Sequence, residues 1–219
     1  MSNHLAIATV TYALKTQIAN ALTHDVGDFG YQVVTDRPDG TASGQAEVRL
    51  YLYQVTHNAA HRNDDLPTRR ADGTSFVNRP QLALDLHYLI SFFGKETELE
   101  PQRLLGSVAR ALHAHPVLSR DQIAKLIDPG TEPRVGPSWL AASDLDKQIE
   151  LVRLTPLPLS LEELSKLWMV FFQTKYTLSV AYQASVVLLD ADVQASEGPP
   201  VQERVVTAFP TPNFRRVTS

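Results

Sequence analysis

QLALDLHYLISFF, residues 81 to 93, sets Leu82, Leu84, Leu86, Tyr88, Ile90 and Phe92 at every second position. Successive strand side chains point to opposite faces, so a period of two over this length predicts a β-strand with one dry face. Ala83, Asp85, His87 and Ser91 fall among the residues opposite. The even-numbered face is predicted to be core.

Two further stretches repeat the pattern. In Glu47 to Thr56, Val48, Leu50 and Leu52 alternate with Arg49, Tyr51 and Tyr53. In Tyr176 to Leu189, Tyr176, Leu178, Val180, Tyr182, Ala184, Val186 and Leu188 take every second place. At ~3.4 Å per residue this last strand would be about 45 Å long, so it is expected to bend or to project an edge beyond its sheet. Tyr31 to Thr35 reads as an edge strand before the turn residues Pro38, Asp39 and Gly40, and Ile149 to Thr155 as another short strand.

Helices fill the intervals. Ile7, Val10, Leu14, Ile18, Ala21 and Leu22 follow a spacing of three and four that predicts a helix over Leu5 to Thr23. Pro101, after Glu98 and Glu100, opens a helix carrying Leu104, Leu105, Val108 and Leu112 inward. Ser119 with Gln122, and Ser160 with Glu163, have capping-box spacing, each ahead of an apolar stripe; the second stripe is Leu164, Leu167, Trp168 and Phe171. Thr131 to Lys147 reads as irregular.

The fold expected is α+β: a mostly antiparallel sheet of four or five strands with helices chiefly packed on one face. Its domain spans residues 1 to 191. Residues 192 to 219, with Pro199, Pro200, Pro210 and Pro212, read as an extended tail and interaction arm. The chain has 219 residues, 43% of them apolar, which suits one such domain.

Composition removes several functions. With 20 Lys and Arg against 24 Asp and Glu, the net charge of −4 offers no basic field for a nucleic-acid backbone. Without cysteine there is no disulfide frame, thiolate metal site or Cys nucleophile. No apolar run reaches the ~20 residues of a membrane span. Asp85, His87 and Ser91 share a strand face, but i and i+4 stand ~13 Å apart along a strand, beyond hydrogen-bond reach. A small hydrolase built there, or on the loop from His57 to Asp65, is the minor alternative. His57 and His61 would share a face only in a helix, and their segment reads as a loop. No cofactor or metal site is predicted.

The segments LDLHYLISFFG (84–94), LEPQRLLGSVARALHAHPVLS (99–119), IELVRLTPLPLSLEELSKLW (149–168) and YTLSVAYQASVVLL (176–189) together resemble the amino-terminal domain of the cap proteins of extracellular contractile injection systems, phage-tail-like particles. The resemblance covers roughly residues 5 to 190. It implies a structural terminator subunit, forming a ring expected to be hexameric, that closes the inner tube and anchors the last layer of sheath. It also implies a particle assembled in the bacterial cytoplasm and released. Another tail-assembly adaptor is the alternative within that class. Longer members carry further sequence after this domain, and no role of such an extension is carried over.

Candidate contact residues lie in three places. Arg62, Arg69 and Arg70 belong to the long polar stretch His57 to Arg79, mixed with Asp64, Asp65 and Asp72. Tyr176 begins the long strand, whose edge is expected to take a partner strand. Val201, Arg204, Val205, Phe209, Arg215 and Arg216 lie in the tail.

Overall fold

A computed structural model describes residues 2–39, 44–61, 81–128, 130, 136–171 and 174–191. In chain order its elements are α1 (Ala6–Asp25), β1 (Tyr31–Val34), β2 (Ala46–His57), β3 (Gln81–Phe93), α2 (Glu100–Ala114), β4 (Val117–Leu118), α3 (Arg120–Ile127), β5 (Val152–Leu157), α4 (Leu161–Met169) and β6 (Ser179–Asp190). The strands form one sheet in the order β1-β2-β3-β6-β5-β4. The alternating segment 81–93 is the third strand, flanked on both sides by antiparallel neighbours.

The α+β class holds, but the sheet has six strands where four or five antiparallel ones were expected, and β1 runs parallel to β2. Two physical reasons account for the difference. The chain between Val34 and Ala46 is too long for a tight hairpin turn and lets the second strand start again from the same end. The sixth strand is only the two residues Val117–Leu118, wedged between α2 and α3 and paired with Val152 and Arg153. A period cannot be read from two residues.

The even face of β3 is core as predicted: Leu84, Leu86, Tyr88, Ile90 and Phe92 are buried against α1, α2 and α3, while Leu82 at the strand's start is partly exposed. Tyr88 reaches Thr11 of α1, hydroxyl to hydroxyl at 2.8 Å, and burial holds its phenol far above the ordinary range. Both capping boxes form: the side chains of Ser119 and Ser160 accept from the backbone N–H groups of Gln122 and Glu163, whose side chains answer at the cap N–H.

The opposite face is drier than its polar residues suggest. Leu89 is buried there under Trp168 and Phe171 at the end of α4, with Tyr51 and Tyr53 half-buried beside them. Trp168 stands edge-on to Phe171 at 5.7 Å and donates its indole N–H to Ser179 at 3.2 Å. Three helices therefore cover one face and α4 the end of the other.

The long strand changes face part-way. Leu86 pairs with Ala184 and Leu84 with Val187, so Asp85 alone opposes both Ser185 and Val186. This bulge flips the pattern: Tyr182, Ala184 and Val187 join the main core, whereas Val186 and Leu188 pack with Ala83 on the other face. The unbroken alternation expected over Tyr176 to Leu189 is thus interrupted, and the strand itself begins at Ser179.

Candidate protein-interaction surfaces

Of the residues singled out for contact, the structure describes Tyr176. It lies in the extended approach to β6, 58% exposed, with its ring edge-on to Trp168 at 5.5 Å. Arg62, Arg69, Arg70, Val201, Arg204, Val205, Phe209, Arg215 and Arg216 lie outside the described residues, as does the whole proposed arm 192–219.

The edge expected on the long strand is not free. β6 lies between β3 and β5, and its residues Ala181 to Ser185 pair with Leu157 to Arg153. Beyond the end of β5 a side chain continues the ladder. Gln148, 4% exposed, donates from Nε2 to the Val186 carbonyl at 2.9 Å and accepts the Leu188 N–H on Oε1 at 2.9 Å. One amide thus takes the place of a strand residue. Arg120 at the start of α3 holds the base of this clasp by donating to the carbonyls of Gln148 and Ile149. One step further, Ser2 accepts the Asp190 N–H at 2.8 Å and donates its own to the Asp190 carboxylate.

The outer side of β5 carries β4 at Val152 and Arg153, and beyond that pairing it is closed by chemistry. Leu154 turns its N–H outward to the Pro116 carbonyl. Backbone groups alternate in direction along a strand, so the next outward N–H positions are those of Pro156 and Pro158, which have none. A proline pair at outward positions leaves an incoming strand without donors. This gives the TPLPL segment a physical role as an edge breaker.

Two exposed features among the described residues stand apart from the sheet edges. On α4, Leu161 is 82% and Met169 76% exposed, and with Ser165 they form an i, i+4, i+8 stripe beside Glu162. On the other side of the sheet, α1, α2 and α3 enclose a groove of about 660 Å³ walled by Ala13, Ala111, Ala114, Leu118, Ile123 and Leu126. Its rim carries His24, Arg110, His115 and Lys125, and no carboxylate lines it among the described residues. Gln17, also on the groove, donates to the His115 carbonyl and keeps a buried Oε1 with no hydrogen-bond partner. Asp25 below the rim receives His24, Ser107 and Arg110, which together hold its carboxyl below the usual range.

The polar side chains on the second face do not converge. His87 meets Thr56 at 2.9 Å, Asp85 accepts from Asn58 at 2.8 Å, and Ser91 is buried with a hydroxyl that has no partner. His57 ends β2 and His61 sits in the turn beyond it. Among the described residues no group of three or more His, Asp or Glu is placed to hold a metal, and no helix is long and apolar enough to cross a membrane.

The Pvc16 N-terminal domain matches residues 9–203, nearly the whole chain. The chain belongs to the Pvc16 N-terminal domain family. Its fold is also that of two structures determined by cryo-electron microscopy. One is the PVC sheath/tube terminator of an extracellular contractile injection system in its extended state, at 14% identity and a TM-score of 0.52 over 93% of this chain. The other is the anti-feeding prophage cap, an AFP tube terminating cap, at 14% identity and a TM-score of 0.54 over 88%. The chain spans 65% and 59% of the length of those two proteins. No curated protein matches it. The membership bears out the resemblance read from residues 84–94, 99–119, 149–168 and 176–189. What sequence reasoning missed is the closing of the sheet beside β6 and β5: Gln148 fell between the irregular stretch Thr131 to Lys147 and the strand read from Ile149 and was given no role, although TPLPL itself signals an edge.

Proposed function

We propose that this Pvc16 N-terminal domain acts as a terminator subunit of a phage-tail-like contractile particle. Copies of it form a ring, expected to be sixfold, that closes the inner tube and engages the last sheath layer. The observation that carries this reading is the family match over 9–203 together with a fold shared with two terminator caps. The surfaces support a mechanical role: the polar side chains of the second face make separate contacts, and the exposed groups are apolar stripes and grooves suited to protein partners. Tyr176, the arginines of 62–70 and the segment 201–216 remain contact candidates on sequence grounds. Assembly inside the bacterial cell, followed by release with the particle, belongs to the same reading.

Electron microscopy of particles from cells lacking this chain, beside wild type, tests it. Sheath-tubes of uncontrolled length or with open, unstable ends are expected. Particles of normal length and end structure would overturn the assignment.

A further inference from the structure

We propose that the outer edge of β1 takes up residues 201–209 of a second copy of this chain as an added strand, so that neighbouring subunits are joined through their sheets. The inference goes beyond the terminator reading and does not depend on it. β1 stands last in the sheet, with no strand described beyond it. Alternate residues of an edge strand turn their N–H and C=O groups outward, a template for another chain. On the far side of the sheet Pro156 and Pro158 remove donors, whereas β1, Tyr-Gln-Val-Val, carries neither a proline nor a charge. Tyr31 and Val33, with Phe29 before them, are only partly buried against the helical layer. An added strand therefore has apolar surface to cover as well as backbone to pair.

The sequence that fits this edge is in the chain itself. VQERVVTAF, 201–209, is rich in β-branched residues and bounded by Pro200 and Pro210. Run antiparallel to β1, it meets the edge in a register that suits both faces. Phe209, Thr207 and Val205 lie opposite Phe29, Tyr31 and Val33 on the helical side; on the other, Arg204 lies opposite Val34 and diagonal to Asp36, within reach of its carboxylate. Asp36 is exposed and has no ion pair among the described residues.

The occupant comes from a neighbour because the chain's own tail starts in the wrong place. Through Arg49 and Ser91, Val34 stands level with Ser179, the first residue of β6, whereas the tail leaves from the last, Asp190. With ~3.3 Å per residue along the 12 residues of β6 and ~4.8 Å for each spacing across β3, β2 and β1, the place beside Val34 lies about 41 Å from Asp190. The chain from Asp190 to Arg204 extends to ~46–50 Å at most, too little to go round the side chains packed on either face. Strand addition from one copy to the edge of the next is a heterologous contact, of the kind that generates rings when the rotation closes.

The chain has no cysteine, so Gly30→Cys and Ala208→Cys, which this register sets opposite each other, each carry a single thiol. A Cβ at Gly30 meets nothing within 4 Å. The two single variants are mixed as concentrated full-length protein, and are also made together in cells from which particles are purified; both samples are treated with a short bis-maleimide. A heterodimer linked between positions 30 and 208, identified by its cross-linked peptide, is expected in one or both settings. Val205→Pro/Val206→Pro, which removes ladder donors outside the described residues, should cut its yield roughly tenfold. Arg204→Asp should cut it about two- to threefold. No 30–208 link in either setting overturns the inference, and so does a link that the two prolines leave unchanged. A link formed within single chains of Gly30→Cys/Ala208→Cys, with none between chains, overturns it in favour of the chain's own tail. Presence of the chain on particle ends is scored separately by mass spectrometry, so its absence there counts against the terminator reading alone, and absence of the link against strand addition alone.

Discussion

Arg49 and Glu47, two residues apart on β2, form a forked ion pair in which Nε meets Oε1 at 3.0 Å and Nη2 meets Oε2 at 3.2 Å, with side chains only 2% and 4% exposed. The guanidinium also covers the Phe93 ring at 4.6 Å and donates to the carbonyls of Arg37 and Pro38, tying the segment after β1 across the sheet. Taking two charges out of water is costly, and their pairing recovers that cost only while both are present. Arg49→Met alone should destabilise the fold by about 3–5 kcal/mol, and Glu47→Leu added to it should recover part of the loss. Urea unfolding of the two variants checks this; equal losses would mean that the pair is not coupled.

Gln148 makes a similar prediction at an edge. Gln148→Glu keeps the acceptor for Leu188 N–H but sets a carboxylate against the Val186 carbonyl, whereas Gln148→Ala leaves both backbone groups unmet. Each unsatisfied buried group costs about 1–3 kcal/mol. Both variants should lower the unfolding midpoint, and hydrogen exchange at Leu188 should accelerate.

Trp168 is the pin of α4. Trp168→Ala removes its contacts with Phe171 and Leu89 and the hydrogen bond to Ser179, a loss of about 3–5 kcal/mol by the usual cost of deleting a buried aromatic. Ser179→Ala removes the hydrogen bond alone and should cost about 1 kcal/mol. Thermal unfolding of the two should rank them in that order.

His87 gives the fold a dependence on pH. Burial lowers its folded pKa, against the weaker opposing pull of Asp85. Below its unfolded value of ~6.5 the unfolded chain binds the proton more readily, so stability is fullest above that pH and falls as pH drops toward the folded pKa. Unfolding midpoints at pH 8 and pH 5 should differ less in His87→Gln than in the wild type.

Gly94→Ala should destabilise as well. A Cβ there would stand 2.8 Å from the Glu100 carboxylate and 2.9 Å from Glu100 Cβ, displacing the oxygen that accepts the Lys95 N–H at 2.7 Å. A loss of about 1–3 kcal/mol is expected in urea unfolding.

What could be read without coordinates was what is settled locally. Ser119 with Gln122 and Ser160 with Glu163 announce helix starts because a capping box is a contact across three residues. Residues 81–93 announce a strand because one face is uniformly apolar. The rest depends on partners distant in sequence. The parity change at Ser185 and Val186 exists because Asp85, a hundred positions away, opposes both. Leu89 sits among polar neighbours and is core only because Trp168 and Phe171 cover it. The direction of β1 is settled by the strand beside it, and the clasp of Gln148 by the edge it happens to meet. Among the contact candidates only Tyr176 can be followed into the structure.

Pro156 in β5 and Pro158 just beyond it have a consequence for growth. Under the terminator reading, a subunit that offers no N–H donors along β5 past its pairing with β4 can join the end of an assembly without inviting a successor there. Such a molecule is a chain stopper in the sense used for polymerisation, and the length of the product then depends on the ratio of stoppers to elongating subunits. Pro156 and Pro158 would make this single domain a one-way terminus, written into two ring closures of the backbone.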